Sequence, residues 1–101
     1  MLEEKYQKII VDILNRYGKE KQVLQAVEEM SELSKELVKN INRGEKNRTE
    51  IILEIADVTI MLAQLNYIYD IKQDEMLGAM EYKLLRQQER MANKDTQCMT
   101  D

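Results

Sequence analysis

Apolar residues recur every three or four positions along most of this chain, and that spacing predicts helices. Tyr6, Ile9, Ile10, Ile13, Leu14 and Tyr17 fall on one face of a first helix over about residues 2–17. Gly18 follows where a left-handed cap is expected. Val23, Val27, Met30, Leu33, Leu37, Val38 and Ile41 line one broad face of a second helix, over about 20–42, and Asn42, Arg43 and Gly44 mark its end. Asn47 with Glu50 three residues on reads as a capping box, which starts a third helix near Arg48 and gives Glu50 a structural task. A break at 70–73 precedes a fourth helix over about 73–91, whose apolar side is Met76, Leu77, Met80, Leu84 and Leu85. Residues 93–101 lack periodicity and are expected to be a disordered tail. One all-α domain over 1–92 is the expectation: an antiparallel bundle of about four helices.

The third helix breaks the amphipathic rule. From Ile51 to Leu65 it is apolar almost all the way round, and such a helix needs neighbours on every side. A bundle of this size cannot supply them, so a homodimer or homotetramer is expected to complete it. Yet this helix also carries Glu50, Glu54 and Asp57, four and three residues apart, within roughly a 60° arc.

Composition narrows the chemistry. There is no Pro, Phe, Trp or His and only three Gly, in keeping with helix throughout. The net charge of −4, with basic and acidic residues interspersed, argues against binding a nucleic acid polymer. The apolar runs look too short for a membrane span, and the N-terminus lacks the layout of a signal peptide, so a cytoplasmic protein is expected. With one Cys and no His, any metal must be held by oxygen, which points to Mg²⁺, Mn²⁺ or Ca²⁺.

The second helix supplies a matching acidic edge. Glu28, Glu29 and Glu32 occupy roughly a 100° arc beside its apolar face, with Glu36 one turn later. Taken alone, such an edge is an ordinary solvated face. Glu54 and Asp57, set among Leu53, Ile55, Ala56 and Val58, are harder to account for, because burying an uncompensated carboxylate costs several kcal/mol. A raised pKa, a basic partner such as Lys83, Arg86 or Arg90, or a metal would each relieve that cost. If the second and third helices face each other, Glu29, Glu32, Glu54 and Asp57 converge, and a Mg²⁺ site open to phosphate oxygens follows.

The pattern Glu28-Glu29-x-x-Glu32 followed by Glu54-x-x-Asp57 resembles the MazG-like family of all-α nucleoside triphosphate pyrophosphohydrolases. Glu54-Ile55-Ala56-Asp57-Val58 is similar to that family's E-L-A-D-V segment, and Lys83 and Arg90 resemble its later basic positions. The resemblance covers about residues 22–90. It implies a Mg²⁺-dependent enzyme, with Mn²⁺ as a substitute, that splits a (d)NTP into (d)NMP and pyrophosphate and acts in house-cleaning of noncanonical nucleotides. Glu29, Glu32, Glu54 and Asp57 would be metal ligands, and Glu28 an auxiliary ligand or water-activating base, a task Glu29 could share. Lys83 and Arg90 would steady the triphosphate; Gln87 stands where the family often has Asn. Tyr67, Tyr69 and Tyr82 are candidates for stacking a base. Two alternatives stay open: a non-catalytic helical dimer with an acidic groove for a basic partner, and phosphoribosyl-ATP pyrophosphohydrolase, whose expected histidine is missing here.

Overall fold

A computed structural model describes the backbone of residues 3–100 and the side chains of residues 3–94. Four helices and no strand occur among the described residues: α1 Glu4–Tyr17, α2 Lys19–Arg43, α3 Arg48–Ile68 and α4 Gln73–Thr100. The all-α class follows directly from the periodicity and from the near-absence of helix breakers.

The chain divides into two compact units, Met1–Asp70 and Ile71–Asp101, where one domain over 1–92 is expected. In the first unit α2 packs mainly on α3, and α1 touches both. The second unit is α4, which runs to Thr100 rather than ending near Met91. Residues 93–100 therefore continue a helix where a tail is expected, because they contain neither Pro nor Gly to stop it. Asp101 lies outside the described residues. Every described side chain of α4 is exposed, its predicted apolar side included.

The joints are short and each has a local cause. Gly18 alone links α1 to α2, and its N–H donates to the Leu14 carbonyl at 2.8 Å. Its backbone (φ 91°, ψ 159°) is not the expected left-handed cap but a more extended region open to glycine alone. Gly44 does take the left-handed conformation (φ 66°, ψ 23°). There the Gly44 N–H donates to Asn40 O and the Glu45 N–H to Lys39 O, closing the end of α2.

The capping box expected at Asn47 and Glu50 does not form. Asn47 precedes α3, but its side chain caps nothing and turns back to α2. Its Nδ2 donates to the Glu36 carbonyl at 2.9 Å and to Glu36 Oε1 at 3.1 Å, while its Oδ1 accepts from Asn40 Nδ2 at 3.2 Å. An acidic residue does close a helix start at α4, where Glu75 Oε1 accepts the Lys72 N–H at 3.1 Å.

The core departs furthest from the sequence expectation. Ile10, Ala26 and Met61 are its buried apolar residues, and Gln22, Asn47 and Gln64 are buried with them. On α2, Val27, Met30, Leu37, Val38 and Ile41 of the predicted apolar face remain exposed. The buried row on α2 is instead a mixed one: Gln22 and Ala26 fully covered, Glu29, Leu33 and Glu36 half-buried. On α3, Ile52, Leu53, Ile55 and Leu62 are also exposed. The α2–α3 contact thus uses the edge of α2 that carries its acids, and it leaves the greasier faces open.

Candidate metal centre

That choice of edge brings the acids together. One carboxylate oxygen each from Glu29, Glu54 and Asp57 lies within 4.8 Å of the other two. Glu29 comes from the middle of α2, and Glu54 and Asp57 from adjacent turns of α3. Glu29 and Glu54 are half-buried, whereas Asp57 is exposed.

Glu54 is the strained member. Its Oε2 is fully covered and, among the described residues, meets no hydrogen-bond donor. Burial raises its pKa above the ordinary carboxylate value, and the charges of Asp57, Glu29, Glu32 and Glu36 add to that rise in that order. Among the described residues of the first unit no ion pair reaches Glu54 or Asp57, while Lys39 pairs with Glu36 and Lys5 with Glu3. Of the three ways to relieve a buried carboxylate, the first unit by itself uses the first.

Glu29 and Glu36 are held differently. Gln25, one turn before Glu29, donates Nε2 to Glu29 Oε1 at 2.8 Å and fixes that carboxylate's direction. Glu36 takes Lys39 Nζ on Oε2 at 3.1 Å and Asn47 on Oε1, and those bonds hold its pKa below the ordinary value. Glu36 is therefore committed to the α2–α3 joint. Glu28 and Glu32 lie exposed on α2, outside the three-oxygen group, although Glu32 is close enough for its charge to act on Glu54. Lys83, Gln87 and Arg90 lie exposed on α4, four and three residues apart and so on one side of that helix.

Gln25 and Asn47 were not singled out as site residues from sequence. The Gln25–Glu29 contact has an i, i+4 signature that could have exposed it. The Asn47–Glu36 contact crosses a loop and has none. The tyrosines are also clarified. Tyr67 and Tyr69 lie at and just past the end of α3, roughly 15 to 18 Å from Asp57 along the helix direction, and Lys19 Nζ sits 5.2 Å above the Tyr69 ring. Tyr82 is exposed on α4.

Three carboxylate oxygens at this separation, on side chains one of which also holds a buried oxygen without a donor, suit a hard divalent cation that takes oxygen ligands. The donor set has no nitrogen or sulfur, which disfavours zinc and copper. Comparisons with protein-family models, with curated proteins and with solved structures give no match for this chain.

Proposed function

We propose that the chain is a Mg²⁺-dependent nucleoside triphosphate pyrophosphohydrolase of the MazG-like type, with Mn²⁺ able to replace Mg²⁺. The observation that carries this reading is Glu54: a half-buried carboxylate whose covered oxygen has no donor and which stands against Glu29 and Asp57. Glu29, Glu54 and Asp57 would hold the metal, with Glu32 reaching in from the rim. A divalent cation held there supplies charge neutralisation for phosphate oxygens and acidity for a water.

The reaction is attack of water on the α-phosphorus, breaking the bond to the oxygen that bridges the α and β phosphates. The products are a nucleoside monophosphate and pyrophosphate. The attacking water's proton goes to a glutamate, Glu28 or Glu29. Gln25 keeps Glu29 aimed, and Lys83, Gln87 and Arg90 steady the triphosphate. In the assembled protein α2 and α3 run antiparallel within a bundle completed by a second copy or a second pair, a reading that their exposed Val, Ile and Leu residues support. Such an enzyme works in the cytoplasm on free nucleotides, noncanonical ones included.

A second reading rests on Glu28, Glu32 and Asp57 being exposed: a non-catalytic acidic module that docks a basic partner. One experiment separates the two. The purified chain is incubated with all dNTPs and NTPs plus modified ones, with Mg²⁺ or with EDTA, and monophosphate and pyrophosphate are measured. Metal-dependent release of both products is expected, and its absence on every nucleotide removes the enzyme reading. Phosphoribosyl-ATP in the same panel decides the remaining alternative.

A further inference from the structure

Gln64 is the most enclosed large side chain of the described residues, 1% exposed, and neither its Nε2 nor its Oε1 has a hydrogen-bond partner among them. Leaving one buried polar group unpaired is destabilising, and Gln64 leaves two. A Leu or Met would fill this position without that penalty. An amide kept here at such a cost points to a partner outside the chain.

Its place on α3 narrows what that partner is. Glu54, Asp57, Met61 and Gln64 follow at spacings of three, four and three and so share one side of the helix. Along α3 the contacts with α2 step backwards: Asn47 meets Asn40 and Glu36, and Glu54 and Asp57 meet Glu29. At the same step, Gln64, two turns past Asp57, comes opposite Gln22, two turns before Glu29. Gln22 is buried as well. The seam between α2 and α3 therefore carries acids in its middle and two amides at its inner end. Between these levels lie Ala26, the smallest buried side chain, and Met61, a flexible thioether that repacks readily and favours aromatic faces.

We propose that Gln64, with Gln22 opposite, reads the hydrogen-bonding edge of a nucleobase whose phosphates lie at the acids; this rests on the nucleotide reading above. A carboxamide offers a donor and an acceptor side by side. The edge of a base that sets an exocyclic amino or oxo group beside a ring nitrogen complements both. Asp57 and Gln64 are separated by about 10 Å along the helix, comparable with the reach from a nucleotide's α-phosphate to the outer edge of its base. Met61 swings aside to admit the ring and packs on its face. A water bridging the Gln64 and Gln22 amides is the competing occupant, and it leaves the ratio between a natural dNTP and its analogue unaffected by Gln64→Met.

The test compares each natural dNTP with an analogue lacking the exocyclic group, the purine and 2-pyrimidinone deoxyriboside triphosphates, on the wild-type chain and on Gln64→Met. The wild type is expected to favour the best natural dNTP over its analogue by about 10- to 100-fold in kcat/KM, and the variant to bring that ratio towards one. An unchanged ratio overturns the proposal. A second measurement needs no variant: the side-chain NH₂ signals of Gln64 in the NMR spectrum of the metal-free wild type, with nucleoside monophosphates added. A shift is expected with at least one base. No shift with any base, from a chain that does hydrolyse nucleotides, overturns this inference and leaves the hydrolase reading standing. A shift without hydrolysis does the reverse.

Discussion

Glu54 holds one covered oxygen with no donor to meet it, and that atom governs how the metal-free chain responds to charge. A carboxyl whose pKa is raised by folding keeps its proton longer in the folded than in the unfolded chain. Stability therefore falls as pH rises from the ordinary carboxylate range through the raised pKa. Glu54→Gln removes the charge and keeps the shape. At a pH above that raised pKa its metal-free melting temperature should exceed that of the wild type, while the rise in melting temperature that Mn²⁺ gives the wild type should vanish. A variant that melts lower without metal, or that still gains from Mn²⁺, would show that Glu54 is satisfied in some other way. Gly18 poses the opposite problem, since its strain is avoided only by lacking a side chain. Nothing lies within 4 Å of where a Cβ would stand, so Gly18→Ala meets no clash. The penalty is conformational, about 1–3 kcal/mol, and urea denaturation should register it as a lower midpoint at unchanged slope.

At the scale of the elements, the α2–α3 joint depends on Asn47, 6% exposed, and on Glu36. Asn47→Ala removes its bonds to the Glu36 carbonyl, to Glu36 Oε1 and from the Asn40 amide, and should cost about 1–3 kcal/mol in chemical denaturation. Glu36 adds a pH dependence of known sign. Its folded pKa is lowered, so its contribution is full above the ordinary carboxylate value and is lost as pH falls through the folded one. Acid denaturation followed by circular dichroism should therefore lose part of its steepness in Glu36→Gln. The helices themselves were legible because helical period is a property of each segment alone. Glu28, Glu29, Glu32, Glu54 and Asp57 could be grouped the same way, each set on its own helix. Which edge of α2 meets α3 could not, because α2 has an apolar face and a mixed edge, and the choice between them is tertiary. The Asn47–Glu36 bonds illustrate the same limit: local chemistry favoured a capping box with Glu50, and a contact across the loop prevailed. Gln64 was invisible for a related reason, since a polar residue in a helical pattern reads as a solvated position until its burial is known.

For the whole molecule, the decisive quantity is apolar surface left open. An 18-residue window of α3 has a mean hydropathy of 1.5 and only 11% of it is buried, so by length and composition this helix could cross a membrane, contrary to the expectation from its apolar runs. Its polar residues argue otherwise. Glu54 and Asp57 fall near its middle, where a bilayer penalises an ionised acid by about 2.5–3.5 kcal/mol, and both turn to Glu29 on α2. A second copy covers such a face at no similar penalty: Ile52, Ile55 and Leu62 on α3 and Val27, Met30 and Val38 on α2 would form a bundle core between chains. Sedimentation velocity should then find dimers or tetramers at micromolar concentration. Ile55→Glu places a charge on the open side of α3, away from Glu54 and Gln64, and should shift the distribution to monomer. The same variant should lose melting temperature in a concentration-dependent way, because an assembly is stabilised by mass action. A wild type that sediments as monomer and co-pellets with phospholipid vesicles would mean instead that lipid covers α3.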